Sequence, residues 1–213
     1  KNRKKTEMKQ QILIISLFVL FVFGANQDAT LDTITTSGIG FMVKSEPGVD
    51  STHTSVSTAI CDVNGDGLND VILGASGVRY QRSGALQAYG KIYVVYGPFV
   101  NKDLLLPPKS DGLSGFVISD PPPTKTAFGF SVACTDINKD GMDDIFIGSD
   151  STDIVYVVNG KSSRKGTVLL ENISSSEGFS IRTTDVLHRF GYSISKAGDL
   201  NNDGFEDVII GSL

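Results

Sequence analysis

The sequence predicts an all-β fold, a β-propeller of four-stranded blades of which this chain carries a part. Three observations lead there. First, a loop reading Asp-x-Asn-x-Asp-Gly-x-x-Asp, followed by an apolar run and a glycine, occurs three times: DVNGDGLNDVILGAS from Asp62, DINKDGMDDIFIGSD from Asp136 and DLNNDGFEDVIIGSL from Asp199. Second, other short motifs keep the same phase, at spacings of 74 and 63 residues, so whole units recur rather than isolated loops. Third, the 213 residues include 23 Gly and many short runs of Val, Ile, Phe and Tyr, and no stretch beyond the N-terminus has helical periodicity. Short β-branched and aromatic runs between turn residues read as strands. Self-similarity at this period signals stacked units that bury their faces against one another.

The N-terminus stands apart. Lys1 to Glu7 is basic, Met8 is a plausible start, and Ile12 to Phe23 is an apolar run of the length of a secretory h-region. A membrane-spanning helix needs about 20 apolar residues, so the run is short for one. Residues 1–25 are therefore expected to be a signal peptide region, cleaved after Gly24 or Ala25, with an uncleaved anchor as the alternative. That expectation puts the protein outside the cell, secreted or on the extracellular face of the plasma membrane.

Residues 26–213 then divide by the repeat. GFMV at Gly40, GFVI at Gly115 and GFSI at Gly178 precede the three loops by 22, 21 and 21 residues. YVVYG at Tyr93 and YVVNG at Tyr156 follow the first two loops, while AFGFSVAC at Ala127 and RFGYSISK at Arg189 precede the second and third. The resulting units are 40–51, 52–125, 126–187 and a truncated 188–213. The second unit is predicted to form strands at Gly129–Thr135, Asp144–Gly148, Ile154–Val158 and Gly178–Arg182. GFMV has no strands of its own unit before it and is expected to close the last blade, whose other strands would lie in missing C-terminal sequence. The first unit is longer because SGVRYQRSGALQAY is inserted between Ala75 and Gly90, and Arg79 to Arg82 within it is expected to be a solvated loop.

The loops carry the chemistry. Positions 1, 3 and 5 are Asp62, Asn64 and Asp66; Asp136, Asn138 and Asp140; Asp199, Asn201 and Asp203. Position 6 is Gly67, Gly141 or Gly204, where a sharp turn needs positive φ. Position 7 offers a backbone carbonyl, from Leu68, Met142 or Phe205, and position 9 a further carboxylate, Asp70, Asp144 or Asp207. An oxygen-only donor set of this size suits Ca²⁺, at about 2.3–2.6 Å, rather than Zn²⁺ or the stricter octahedron of Mg²⁺. Three Ca²⁺ sites are expected. The pattern is not that of an EF-hand, because position 12 is Leu73, Ile147 or Ile210 rather than Glu. Asp, Asn and Gly also form turns with no metal. Three Asp in nine residues, repeated three times, exceed what a turn needs, because their repulsion calls for an offset.

Charge and cysteine usage narrow the classes. Without residues 1–25, which hold five Lys/Arg and one Glu, the net charge goes from −5 to −9, and three Ca²⁺ would bring it to −3. An acidic chain without basic patches argues against nucleic-acid binding. Cys61 and Cys134 stand one and two residues before equivalent aspartates, so they face opposite sides of equivalent strands. Two separately buried thiols are expected, with a bridge as the minor reading. Asn172-Ile173-Ser174 is a glycosylation sequon. The only histidines are His53 and His188, and no Ser lies in a Gly-x-Ser-x-Gly setting, so no catalytic cluster is expected.

Together these residues resemble the FG-GAP repeats of integrin α-subunit propellers and related secreted proteins. The FG is Phe128-Gly129 and Phe190-Gly191, and the first unit has lost it in THTSVSTA from Thr52. The GAP counterparts are Gly74-Ala75-Ser76, Gly148-Ser149-Asp150 and Gly211-Ser212-Leu213, all without Pro. The resemblance covers residues 40 to 213. It implies a seven-bladed propeller with calcium loops on its lower rim and partners docking on the opposite face. On that basis the chain is expected to be a non-enzymatic protein-interaction or cell-adhesion module with a protein ligand or partner subunit, and missing C-terminal sequence is where a membrane anchor would lie. The alternative expectation is the non-catalytic propeller of a larger secreted hydrolase of phospholipase-like kind.

Overall fold

Runs of branched and aromatic residues separated by Gly and Asp become antiparallel strands in the computed structural model. It describes residues 19–22, 40–45, 54–82, 85–99, 104–106, 108, 111–119, 128–170, 173–184 and 189–213. All of its regular elements are strands.

The first blade is the meander β3 (Thr54–Cys61), β4 (Asp70–Arg82), β5 (Ala85–Val95) and β7 (Gly115–Ser119). The second is β8 (Phe128–Thr135), β9 (Asp144–Ser149), β10 (Ile154–Val158) and β12 (Gly178–Arg182), within one residue of the expected bounds. β13 (Ser193–Gly198) and β14 (Asp207–Gly211) are the first two strands of a third. Two full blades and half of another make this a partial β-propeller, as the repeat predicts.

Val19–Val22 lies inside the apolar run set aside as a signal region. In the structure it is a strand, β1, antiparallel to β2 (Gly40–Ser45), as a Val-Leu-Phe-Val sequence allows. β2 also pairs in parallel with β6 (Leu104–Leu106). Two features differ from the sequence expectation. Arg79 to Arg82 is strand rather than loop: the insertion lengthens the β4–β5 hairpin, with pairs running from Val78↔Tyr89 to Arg82↔Ala85. Backbone pairing satisfies the polar groups a free loop would leave to water. And β11 (Thr167–Leu169), from the second unit, adds in parallel to the outer edge of the first blade at β7.

Burial explains the near-continuous apolar runs. Ile72, Ile92, Val94 and Ile118 of the first blade pack against Phe128, Val132, Ile145 and Ile147 of the second. The opposite face of the first blade (Val71, Leu73, Tyr93, Val95, Val117) packs with Leu106. The opposite face of the second (Ala133, Phe146, Val155, Val157) meets Phe190, Ile194, Val208 and Ile210 of the third. Each inner strand is therefore covered on both sides, and β9 is buried at every residue.

Cys61 and Cys134 are bonded to each other, with Cα atoms 6.3 Å apart. The expectation of separate thiols is corrected, although its premise holds. The two cysteines do face opposite sides of equivalent strands. In stacked blades, the forward face of one looks onto the backward face of the next, so opposite facing brings them together. Both sulfurs sit in the core shared by the first two blades.

Candidate functional site

The three acidic loops join the first and second strands of successive blades, and each folds around its own carboxylates. Asp62 Oδ1 accepts from Gly65 N (2.8 Å) and Asp66 N (3.2 Å), and its Oδ2 accepts from Gly67 N (2.7 Å). Asp136 repeats this with Lys139 (2.7 Å), Asp140 (3.3 Å) and Gly141 (2.9 Å). Asp199 accepts from Asp203 N (3.1 Å) and Gly204 N (2.7 Å). At position 3, the side-chain oxygens of Asn64, Asn138 and Asn201 accept from the amide two residues on, at 2.9–3.0 Å. At position 5, Asp66, Asp140 and Asp203 do the same for the amides of Leu68, Met142 and Phe205, at 2.8–2.9 Å. The position-6 glycines have the expected positive φ, at 81–83°. Position 4 also lies in the left-handed region, at 73° for Gly65, 62° for Lys139 and 59° for Asn202, which the sequence reading did not anticipate. Only Gly and, less readily, Asn are at ease there.

In the two complete blades position 9 differs from the others in being buried. Asp70 and Asp144 are fully inaccessible to solvent. Asp70 Oδ2 accepts from Val63 N (3.0 Å) and Oδ1 from Gly97 N (3.0 Å). Asp144 accepts from Ile137 N (3.2 Å) and Gly160 N (2.8 Å). Asp207, in the third and half-formed blade, accepts from Leu200 N at 2.7 Å. In the two complete blades this carboxylate therefore ties its loop to the end of the third strand. The glycines closing YVVYG and YVVNG serve that tie: a Cβ on Gly97 would lie 2.7 Å from the Asn69 carbonyl oxygen, and one on Gly160 2.9 Å from that of Asp143.

Successive loops also touch. The Asp143 carboxylate accepts from Asp62 N (2.9 Å), and Asp143 N donates to the Asp62 carbonyl (2.8 Å). Lys139 lies over the Phe205 ring at 3.7 Å. At position 8 of the third loop, Glu206 pairs with Lys196 at 3.0 Å and accepts from the Thr135 hydroxyl at 3.3 Å. Position 8 varies among Asn69, Asp143 and Glu206, so it carries no repeat signal, yet in two loops it makes the contact between blades.

The donor chemistry of each loop fits a hard cation: carboxylate, amide and carbonyl oxygens, with no nitrogen or sulfur among them. A carboxylate oxygen that accepts one amide keeps a lone pair, as Asp62 Oδ2 and Asp136 Oδ2 do, whereas the Oδ1 atoms of both accept two. In the arrangement seen, the side chains close on loop amides, and among the described residues no three Asp, Glu, His or Cys side chains are drawn together around a common point. The charge left in the loops is felt inside the blades. Burial pushes Asp70 and Asp144 up to about 6, aided by the neighbouring loop aspartates and opposed by the amides each accepts from. A carboxyl raised in the fold favours the folded state while it is protonated. In chelator, the contribution of these two groups should be full below about pH 4 and lost as pH rises through about 6. Carboxyl carbon NMR titration of calcium-free protein checks it: both groups should titrate near 6, and ordinary midpoints near 4 would contradict the burial effect.

Asn172, His53 and His188 lie outside the described residues. Arg164, which the motifs did not single out, is buried where the second unit meets Phe116 of the first blade.

A family profile for the FG-GAP repeat matches residues 55–95 and 190–212. The chain carries FG-GAP repeats. Among similar proteins, phosphatidylinositol-glycan-specific phospholipase D of Rattus norvegicus is 32% identical over 168 residues, 72% of this chain and 18% of that protein. Integrin alpha pat-2 of Caenorhabditis elegans is 32% identical over 167 residues, 73% of this chain and 12% of that protein. Integrin alpha-V of Gallus gallus is 29% identical over 164 residues, 76% and 14% respectively. The chain is thus an FG-GAP propeller segment homologous to both kinds of protein, and it spans less than a fifth of the length of each of these three.

The structure gives the FG-GAP signature a physical meaning. The FG glycines, Gly129 (φ 84°) and Gly191 (φ 90°), lay their carbonyls against the GAP glycine of the preceding blade. A Cβ on Gly74 would stand 2.2 Å from the Gly129 oxygen, and one on Gly148 2.0 Å from the Gly191 oxygen. The hydroxyls of Ser57 and Ser131 donate to the same two carbonyls. FG and GAP are two halves of one contact between blades.

Proposed function

We propose that this chain is part of a calcium-binding β-propeller that works outside the cell as a protein-interaction or cell-adhesion module, as the name integrin alpha implies for some of its relatives. One observation carries the calcium reading. The same oxygen donors stand at positions 1, 3, 5 and 9 of three loops in equivalent blade positions, while the residues between them vary. The ions would be held by Asp62, Asn64, Asp66, Asp70 and the Leu68 carbonyl, and by their counterparts through Asp144 and Asp207. Bound calcium supplies positive charge, which offsets three carboxylates per loop. The chain's own part is to fix the carboxylates on backbone amides and to couple each loop to its blade through position 9. A partner protein would dock on the face away from the loops, and the propeller itself would do no catalysis.

Calcium titration of the full-length protein tests the reading. Ligand that binds only the folded state stabilises it by about 2.7 kcal/mol per site at a hundredfold excess over Kd. Calorimetry should show the melting temperature rising with calcium, and Asp66→Ala, Asp140→Ala and Asp203→Ala should each shrink the rise. A melting temperature indifferent to calcium in the parent protein would overturn it.

The similarity to a phospholipase D favours a second reading, in which the propeller is the non-catalytic part of a larger secreted hydrolase. Release of a phosphatidylinositol-glycan-anchored reporter by the full-length protein would select this one. Calcium-dependent capture of a cell-surface protein without such release would select the first.

A further inference from the structure

The first two acidic loops are joined by two separate runs of hydrogen bonds. We propose that their calcium sites fill cooperatively, with Asp143 as the residue that positions the second loop on the first. This rests on the calcium reading above and adds to it the regulation of those sites.

The first run is a clamp between one residue of each loop. Asp62, position 1 of the first loop, donates its amide to the Asp143 carboxylate at 2.9 Å, and its carbonyl accepts from Asp143 N at 2.8 Å. A single residue thus holds both backbone polar groups of Asp62. Asp143 in turn stands between Met142, whose carbonyl is a donor of the second site, and Asp144, whose carboxylate is another. Asp62 and Asp143 are both half-buried, where a hydrogen bond to a carboxylate is stronger than in open water. The second run joins the two position-9 carboxylates. Asp144 accepts from Gly160 N at 2.8 Å, the amide of the next residue, Lys161, donates to the Val63 carbonyl at 2.9 Å, and Val63 N donates to Asp70 at 3.0 Å.

A looser contact repeats along the rim. Position 4 of one loop lies against position 7 of the next: a Cβ on Gly65 would stand 2.8 Å from Met142 Cγ, and Lys139 Nζ lies 3.7 Å from the Phe205 ring centroid. Between the second and third loops the described contacts come from side chains, with Glu206 accepting from the Thr135 hydroxyl at 3.3 Å.

The clamp sets the sign of the coupling. Each loop has two arrangements. In the one seen, the carboxylates of positions 1 and 5 turn onto loop amides, and among the described residues no three are gathered on a point. To hold an ion they must gather, which displaces Asp62. The clamp passes that displacement to Asp143 and so to the donors on either side of it. The second loop then has less ordering left to undergo when its own ion binds. Charge acts the other way, because a filled first loop draws the second ion less strongly. Its three carboxylates still outweigh one divalent ion, and salt at about 0.15 M screens exposed charges beyond about 8 Å. Positioning therefore prevails at physiological salt.

Calcium calorimetry of the full-length protein in about 0.15 M salt tests the proposal through a cycle of the parent, Asp66→Ala, Asp140→Ala and the double variant. The overall calcium association constant of the parent times that of the double variant should exceed the product for the two single variants by about fivefold or more, as ordinary coupling between sites implies. Asp143→Ala should bring this ratio near one. Asp143→Asn keeps an acceptor for the Asp62 amide and should preserve it, since Asn69 holds the same position in the first loop. A parent ratio near one with calcium bound would overturn the coupling and leave the calcium reading standing, whereas a parent that binds no calcium would overturn both. A ratio unchanged by Asp143→Ala would overturn the role of Asp143. If that variant does not fold, Asp143→Glu takes its place: it sets the acceptor one carbon further out, as Glu206 does in the third loop, and should lower the ratio.

Discussion

Replacing both Cys61 and Cys134 by alanine should cost about 4 kcal/mol of unfolding free energy. The bridge joins residues 73 apart. Constraining a loop of that length in the unfolded chain gives about 4 kcal/mol in the loop-entropy account. The bond also lies in the core shared by the first two blades, so its loss removes the covalent tie across their stacking contact. Denaturant unfolding of the full-length protein, parent against double variant, measures the difference, and reductant should bring the parent down toward the variant. These are the only cysteines of the chain, and neither is free, so thiol titration of this segment should find none. An unfolding free energy unchanged by reduction would contradict the stabilising role of the bridge.

Gly148→Ala is expected to be comparably damaging, for a different reason. The added methyl would sit 2.0 Å from the Gly191 carbonyl oxygen and 2.3 Å from the Ser131 hydroxyl. The first of these is backbone of the next blade and cannot swing aside. Overpacking of a tight contact costs about 1–3 kcal/mol and more where backbone must move, so we expect about 3 kcal/mol or above. Gly141→Ala provides the contrast. Nothing lies within 4 Å of its Cβ position, but its φ is 83°. Its cost should be the left-handed backbone penalty alone, about 1–2 kcal/mol. If Gly148→Ala proved no worse than Gly141→Ala in urea unfolding, the close approach of FG to GAP would not be a stabilising contact.

How far each feature could be read from the chain depends on whether its cause is local. The strands of the second blade were legible almost to the residue, because an alternating or continuous apolar run carries its own period. The loop donors were legible because they recur at fixed offsets while their neighbours change. Position 4 was not, since Gly65, Lys139 and Asn202 share a backbone conformation but no side-chain chemistry. Asp143 escaped notice for the same reason: its counterparts are Asn69 and Glu206, and its contact is with a loop 81 residues away. Arg164 sits in an ordinary polar stretch, and only the fold shows it buried.

The sequence by itself determined the repeating unit, the strands within it and the oxygen-rich character of its loops, because those follow from periods and side-chain types along one chain. Tertiary structure alone decided how the units meet. Stacking turned two oppositely facing cysteines into a bridge, made one blade's FG the partner of another's GAP, carried β11 onto a neighbouring sheet and buried Arg164 beside it. Each of these depends on which face of one blade looks at which face of the next, a relation between residues far apart in the chain that no local pattern encodes.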